Sequence, residues 1–442
     1  MSSLSNVIRE AVEPLTGSAS DYDSLLDLVG EARLVLLGEA SHGTHEFYRE
    51  RAQISKRLIR ERGFCAVAAE ADWPDAYRIN AFVRGAGDDL DSVEALGGFK
   101  RFPQWMWRNA DVLDFVGWLR EHNDGLRSLE KCGFYGLDLY SLHASIEAVL
   151  GYLTKVDPDA AILARHHYSC FDHFGRNTET YGWATGFGMA PTCEEQVVGE
   201  LVALRRKAMD YLQRDGQVAA EAYFCAEQNA LIVRDAEQYY RTMFRRDHSS
   251  WNQRDTHMMR TLMALTDHLG KQRPHAKIIV WAHNSHIGDA RATQMCERGE
   301  WNLGQLVRER FGHRAVLIGF TTHSGSVTAA SDWDSPAERK TVRPSLEGSY
   351  ERLFHETETA RFWLDLRKHS KIRALLRAPA LERAIGVIYR PDTERASHYF
   401  TARLSDQFDA VLHFDHTRAV EPLERTAEWT LGEVEETFPT GI

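Results

Sequence analysis

A carboxylate and an imidazole three residues apart, Glu39 and His42, lie in Gly38-Glu39-Ala40-Ser41-His42-Gly43, where the apolar run Leu34-Val35-Leu36-Leu37 gives way to a polar helix. The pair suits acid–base work. Imidazole has an unperturbed pKa of about 6.5, so a neutral ring takes a proton from water while a nearby carboxylate fixes its tautomer. The pattern recurs along the chain: Glu70 follows Ala66-Val67-Ala68-Ala69, Asp138 follows Phe134-Tyr135-Gly136-Leu137, and His283-Asn284-Ser285-His286 follows Ile278-Ile279-Val280-Trp281-Ala282. In open α/β sheets ligands bind beyond the carboxyl ends of the strands, so these groups are predicted to face one substrate. His42 is the candidate general base.

The helix after the first motif, residues 44–62, adds a further clue. Its apolar face runs Phe47, Ile54, Leu58, and Arg51 fills the gap in that face. A buried guanidinium requires a carboxylate or a ligand as partner. Glu39, Glu70 or a substrate oxyanion could serve, and the alternative is an arginine that snorkels to the surface. Arg51, His283 and His286 have the chemistry to stabilise a developing oxyanion.

Several familiar motifs are missing. The chain has no G-x-S-x-G elbow, no H-E-x-x-H, no Walker loop and no G-x-G-x-x-G opening a helix. Ser41 reads as a turn residue rather than a nucleophile, so direct attack by activated water is preferred to an acyl-enzyme.

Short branched runs alternating with longer helical patterns must position these groups. That alternation predicts an α/β fold, a three-layer α/β/α core with a mainly parallel sheet. Strands are expected at residues 33–37, 64–69, 133–137, 277–282, 315–320, 384–389 and 409–414. Residues 151–270 read as a helical insertion, a lid or pocket wall, with Val197, Leu201, Leu204, Ala208 and Met258, Leu262, Leu265, Leu269 at helical spacing. Residues 1–150 and 271–442 then form the catalytic core. Within the insertion, Phe171-Asp172-His173-Phe174-Gly175 and Tyr181-Gly182-Trp183 either line a pocket or pack between helices.

At 442 residues the chain exceeds the roughly 250 to 300 at which single cores stop growing. Its net charge of −11 argues against nucleic-acid or anionic-membrane partners. Six cysteines without a C-x-x-C pair read as reduced, largely buried thiols, and no run approaches the ~18 apolar residues of a membrane span. With no secretion signal visible, a cytoplasmic protein is expected.

Taken together, Gly38-Glu39-Ala40-Ser41-His42-Gly43-Thr44 with Arg51, Glu70 after the second strand, and Ala282-His283-Asn284-Ser285-His286 resemble the erythromycin esterases in order and spacing. Trp105-Met106-Trp107-Arg108-Asn109 and Tyr135-Gly136-Leu137-Asp138-Leu139-Tyr140 add to the resemblance, which spans nearly the whole chain. It implies hydrolysis of a carboxylic ester or lactone, in the named members the macrolactone of a macrolide, with no cofactor and a small-molecule partner. By the same resemblance His42 is the base, Glu39 and Glu70 orient and tune it, and Arg51, His283 and His286 bind the carbonyl or the oxyanion.

Two other readings start from the same residues. The His/Glu cluster could hold a divalent metal in a metal-dependent hydrolase or peptidase, although His283 and His286 three apart outside a helix are no diagnostic ligand pair. The histidines could also form a non-enzymatic site for haem or another small ligand.

Overall fold

In the computed structural model, residues 3–244 and 249–432 are described. Eleven strands occur among them: β1 (Glu13–Pro14), β2 (Leu34–Leu37), β3 (Phe64–Asp72), β4 (Gly133–Asp138), β5 (Lys277–Trp281), β6 (Ala315–Ala329), β7 (Glu338–Val342), β8 (Arg361–Asp365), β9 (Ala380–Arg383), β10 (Tyr399–Ala402) and β11 (Ala410–Thr417). Nine form one sheet in the order β1-β8-β11-β6-β2-β5-β3-β4, with β7 paired to β6, and β9 and β10 form a separate ribbon. The six strands from β11 to β4 are mutually parallel, while β8 and β7 pair antiparallel. Their carboxyl ends therefore share one edge.

Both faces of this sheet are covered, which explains why β2 and β3 are buried at every position instead of alternating. One face packs Val35, Val67, Ile279 and Val316 against Phe47, Ile54 and Leu58 of helix His45–Arg62. The other packs Leu36, Ala68, Val280 and Leu317 against Met258, Leu262, Leu265 and Leu269 of helix Ser249–Gly270. The result is the three-layer α/β/α core. Helices between Leu142 and Thr242 enclose a cluster of their own, built on residues such as Leu153, Val197, Leu204 and Val233. Helix Ser249–Gly270 lies instead in the layer against the sheet. No helix among the described residues is long and apolar enough to cross a membrane.

Two expectations are corrected. Residues 384–389 form no core strand: they make only isolated bridges, Ser41 to Ile385 and Ala330 to Ile388. The place beside β11 is taken by β8, so this apolar run lies across the strand ends, where the Ile385 N–H donates to the Ala40 carbonyl at 2.8 Å. The cysteines are likewise not all reduced or all buried. Cys170 and Cys193 form a disulfide across a separation of 23 residues, and Cys296 is exposed. The folding of the helical segment brings these two thiols together, and no sequence spacing announces it.

Candidate active site

The site is assembled from the ends of β2, β5, β3 and β4, four neighbours in the sheet. Beyond β2 the chain turns tightly into helix His45–Arg62. Gly38 is required there, because a Cβ at this position would come 2.1 Å from Asn284 Oδ1. Asn284 in turn bonds the Phe320 backbone through both side-chain atoms, at 2.8 and 3.2 Å, and so stitches the turn after β5 to β6. The Ser41 hydroxyl is held by Thr44 Oγ1, in keeping with a turn residue.

His42 Nδ1 lies 2.9 Å from Glu39 Oε1. Glu39 is fully buried with its other oxygen on Arg51, so as an acceptor it draws the ring proton to Nδ1 and leaves the lone pair on Nε2. Behind Glu39, Arg51 Nη2 lies 2.9 Å from Oε2, with both side chains entirely enclosed. The guanidinium also stacks over the rings of Tyr48 (4.4 Å) and Trp281 (5.1 Å), which offset its loss of water. Tyr48 donates to the His42 carbonyl at 2.7 Å, fixing the backbone of the turn.

Around β5 the groups come from distant parts of the chain. Glu70 Oε2 accepts the His283 backbone N–H at 2.9 Å, and its Oε1 accepts Arg254 Nη2 at 2.7 Å. Arg254 also holds Asp138, through Nε at 3.0 Å and Nη2 at 2.6 Å. His286 Nδ1 meets Asp255 Oδ1 at 2.9 Å, while its Nε2 lies 3.3 Å from Glu70 Oε1 and 3.0 Å from Arg254 Nη1. Trp251 stacks on His286 with ring centroids 4.5 Å apart.

These surroundings set the charges. Burial raises the Glu70 pKa, but the cationic neighbours His286 and Arg254 outweigh it and hold this carboxyl well below the usual range. Burial opposes charge on His286 too, yet Asp255 and Glu70 prevail over Arg254 and raise its pKa to about 9. His283 goes the other way, pushed down to about 3 by burial and by the adjacent His42, 4.9 Å away between ring centroids. Its Nδ1 accepts the Ser285 backbone N–H at 3.2 Å, which puts the proton of the neutral ring on Nε2. That Nε2 is buried, and the Ala40 backbone carbonyl is the acceptor beside the ring.

A cavity of about 560 Å³ opens over this edge, with walls that include Phe99, Phe102, Trp107, Tyr140 and Trp333. Of the residues singled out in sequence, His42, Glu70, Asp138, His283 and His286 line it. Glu39 and Arg51 do not; they stand behind His42, so Arg51 is a partner of Glu39 and not a donor to substrate. Residues 384–387 contribute Ala384, Gly386 and Val387 to the wall. The aromatic loop of the helical segment does not reach the cavity. Phe171 and Tyr181 pack in the separate helical cluster, and Trp183 is exposed.

Sequence reasoning missed Arg254, Asp255 and Trp251. A signal existed: Arg254 and Asp255 precede Met258 by four and three residues, so both extend the apolar face of their helix, as Arg51 interrupts its own. Among the described residues, no three His, Cys, Asp or Glu are grouped to hold a metal ion. Glu70 and Asp138 are instead bridged by Arg254.

Comparison with known proteins agrees with this architecture. The family model for erythromycin esterase matches residues 59–417. The erythromycin esterase type II of Escherichia coli is 24% identical, over 70% of this chain and 73% of its own length. Among solved structures, a Bacillus cereus protein superposes with a TM-score of 0.77 at 20% identity, covering 95% of this chain and 98% of that one. A mutant of the erythromycin esterase EreC in its open conformation gives 0.67 at 17% identity, covering 92% and 96%. The structural likenesses establish a shared fold.

Proposed function

The chain belongs to the erythromycin esterase family, a family of hydrolases, and from that premise we propose that it cleaves a carboxylic ester or lactone with water activated by His42. One observation carries the reading: the only member of the Arg51–Glu39–His42 relay that lines the cavity is the imidazole, and its Nδ1 is held 2.9 Å from a buried carboxylate. In the reaction His42 Nε2 takes a proton from water as the oxygen attacks the carbonyl carbon. The imidazolium formed is stabilised by Glu39, whose own charge Arg51 steadies. The tetrahedral intermediate then collapses, the carbon–oxygen bond to the leaving group breaks, and the alkoxide takes the proton back from His42.

Positioned acid–base groups of this type contribute about 10²- to 10⁴-fold in rate. The neutral His283, which lines the same cavity with its proton on Nε2, is the donor proposed for the carbonyl oxygen. Aromatic walls around a cavity of about 560 Å³ suit a bulky, largely apolar ester, and macrolides are the first lactones to try.

The test is mass spectrometry of a panel of macrolides, simple lactones and acyl esters, run with and without chelator. Gain of one water, indifferent to chelator, supports the proposal. Turnover lost to chelator and restored by one metal would return the metal-dependent reading.

A further inference from the structure

The turn after β5 is held by a helix from the opposite layer, not by the strands alone. Trp251, Arg254 and Asp255 lie at i, i+3 and i+4 on helix Ser249–Gly270, so one face of its first turns carries all three. Arg254 is cavity-lining but only 13% exposed at its side chain, and its guanidinium lies 4.8 Å over the Tyr140 ring. Around this one group converge Glu70 from the end of β3, Asp138 from the end of β4 and His286 from the turn after β5. The next residue, Asp255, grips the far nitrogen of His286 and also accepts the Leu303 N–H at 2.7 Å.

We propose that Arg254 is the positioning residue of the cavity-facing half of the site: its guanidinium fixes Glu70 and, through Glu70, both the His283 amide and the His286 ring, whose Nε2 lies 3.3 Å from the carboxylate oxygen that Arg254 holds. A planar fork suits this task, since Nε and Nη2 engage Asp138 together, Nη2 also reaches Glu70, and Nη1 faces His286. A lysine could occupy the place as a point charge without that geometry. The fork also balances the cluster. Three carboxylates, Glu70, Asp138 and Asp255, face two cations, Arg254 and His286, and Arg101 also acts on Asp138; removing the guanidinium leaves His286 facing Glu70 and Asp255 without Arg254 repelling it. Asp255 and Arg254 face it from the helix, Glu70 from β3 and His283 from its own turn, while Asp138 of β4 acts on it through Arg254.

The rate arm of the test rests on the hydrolase reading; the titration arm does not. In protein labelled with ¹³C at histidine Cε1, the His286 resonance, identified by its loss in His286→Asn, is followed through pH 6 to 11. With Arg254→Met the titration is expected at least one pH unit higher than in the wild type, because a repelling cation is gone. Arg254→Lys should return it most of the way. Asp138→Asn, which leaves the guanidinium less neutralised, should move it downward. On any ester the protein hydrolyses, Arg254→Met should lower kcat/KM about 100-fold, in line with an Å-scale misplacement of reacting groups. Arg254→Lys should recover part of that loss. A His286 titration unmoved in folded Arg254→Met and in Asp138→Asn would overturn the proposal. If Arg254→Met does not fold, the opposite displacement in Asp138→Asn decides. If the titrations move as described and no ester is turned over, the positioning role stands and the hydrolase reading falls.

Discussion

The two corners of the cavity floor are built on different principles. At the end of β2, Glu39, His42 and Arg51 come from thirteen consecutive residues, and the relay they form is linear, with one carboxylate between one imidazole and one guanidinium. At the end of β5 the participants are Glu70, Asp138, Arg254, Asp255, His283 and His286, drawn from three strand ends and a helix. The local corner supplies a base whose partners are sealed from the cavity. The assembled corner supplies a cavity wall in which two histidines three residues apart carry opposite charge states, one pushed to about 3 and the other to about 9. Residue type alone did not decide those states: His283 neighbours a second imidazole, whereas His286 neighbours two carboxylates.

The sharpest way to break the contrast is at Glu39. Glu39→Gln keeps an acceptor for His42 Nδ1 but cannot stabilise the imidazolium, so kcat should fall within the range of about 10²- to 10⁴-fold that positioned acid–base groups supply. A rise in KM alone, with kcat unchanged, would place Glu39 in substrate binding and blur the two corners.

Arg51→Met comes next. It strands a buried carboxylate, and loss of one partner of such a pair typically costs 3–5 kcal/mol. Denaturant unfolding should report a destabilisation of about that size, with kcat falling alongside it. A stable variant of normal activity would show that Glu39 does not depend on Arg51.

The smallest effect is on the pH dependence of stability, where the two histidines should act in opposite windows. His286, held near 9 and above its unfolded value of about 6.5, stabilises the fold fully below that value, and the contribution is lost as pH rises through 9. His283, held near 3, contributes above about 6.5, and that contribution is lost as pH falls toward 3. His286→Asn should therefore flatten the alkaline decline in unfolding midpoint and leave the acid decline in place. An unchanged alkaline slope would show that His286 is not the cation of the cluster.

How much of this was legible in sequence follows the same division. Periodicity alone located six of the parallel strands, because buried parallel strands read as continuous apolar runs, and it placed His42, Glu70, His283 and His286 at one edge. It misplaced residues 384–389, since a run of that composition fits a strand and a segment laid across strand ends equally well. Arg51 betrayed its burial through a gap in an apolar face, but not the direction it points, which depends on Glu39 lying behind His42 and not beside the cavity. Arg254 and Asp255 sit at the start of a helical face whose later positions are plainly apolar, and which strands that face would meet is a matter of topology. The Cys170–Cys193 disulfide has the same character: the two residues meet only after the helical segment folds.

The most direct test of the account is the rate of His42→Asn against the wild type on the first ester or lactone found to gain one water, with thermal unfolding of both proteins measured alongside. A loss of at least about 10²-fold in kcat is expected, with a melting temperature close to that of the wild type. Near wild-type turnover in a folded His42→Asn protein would contradict it.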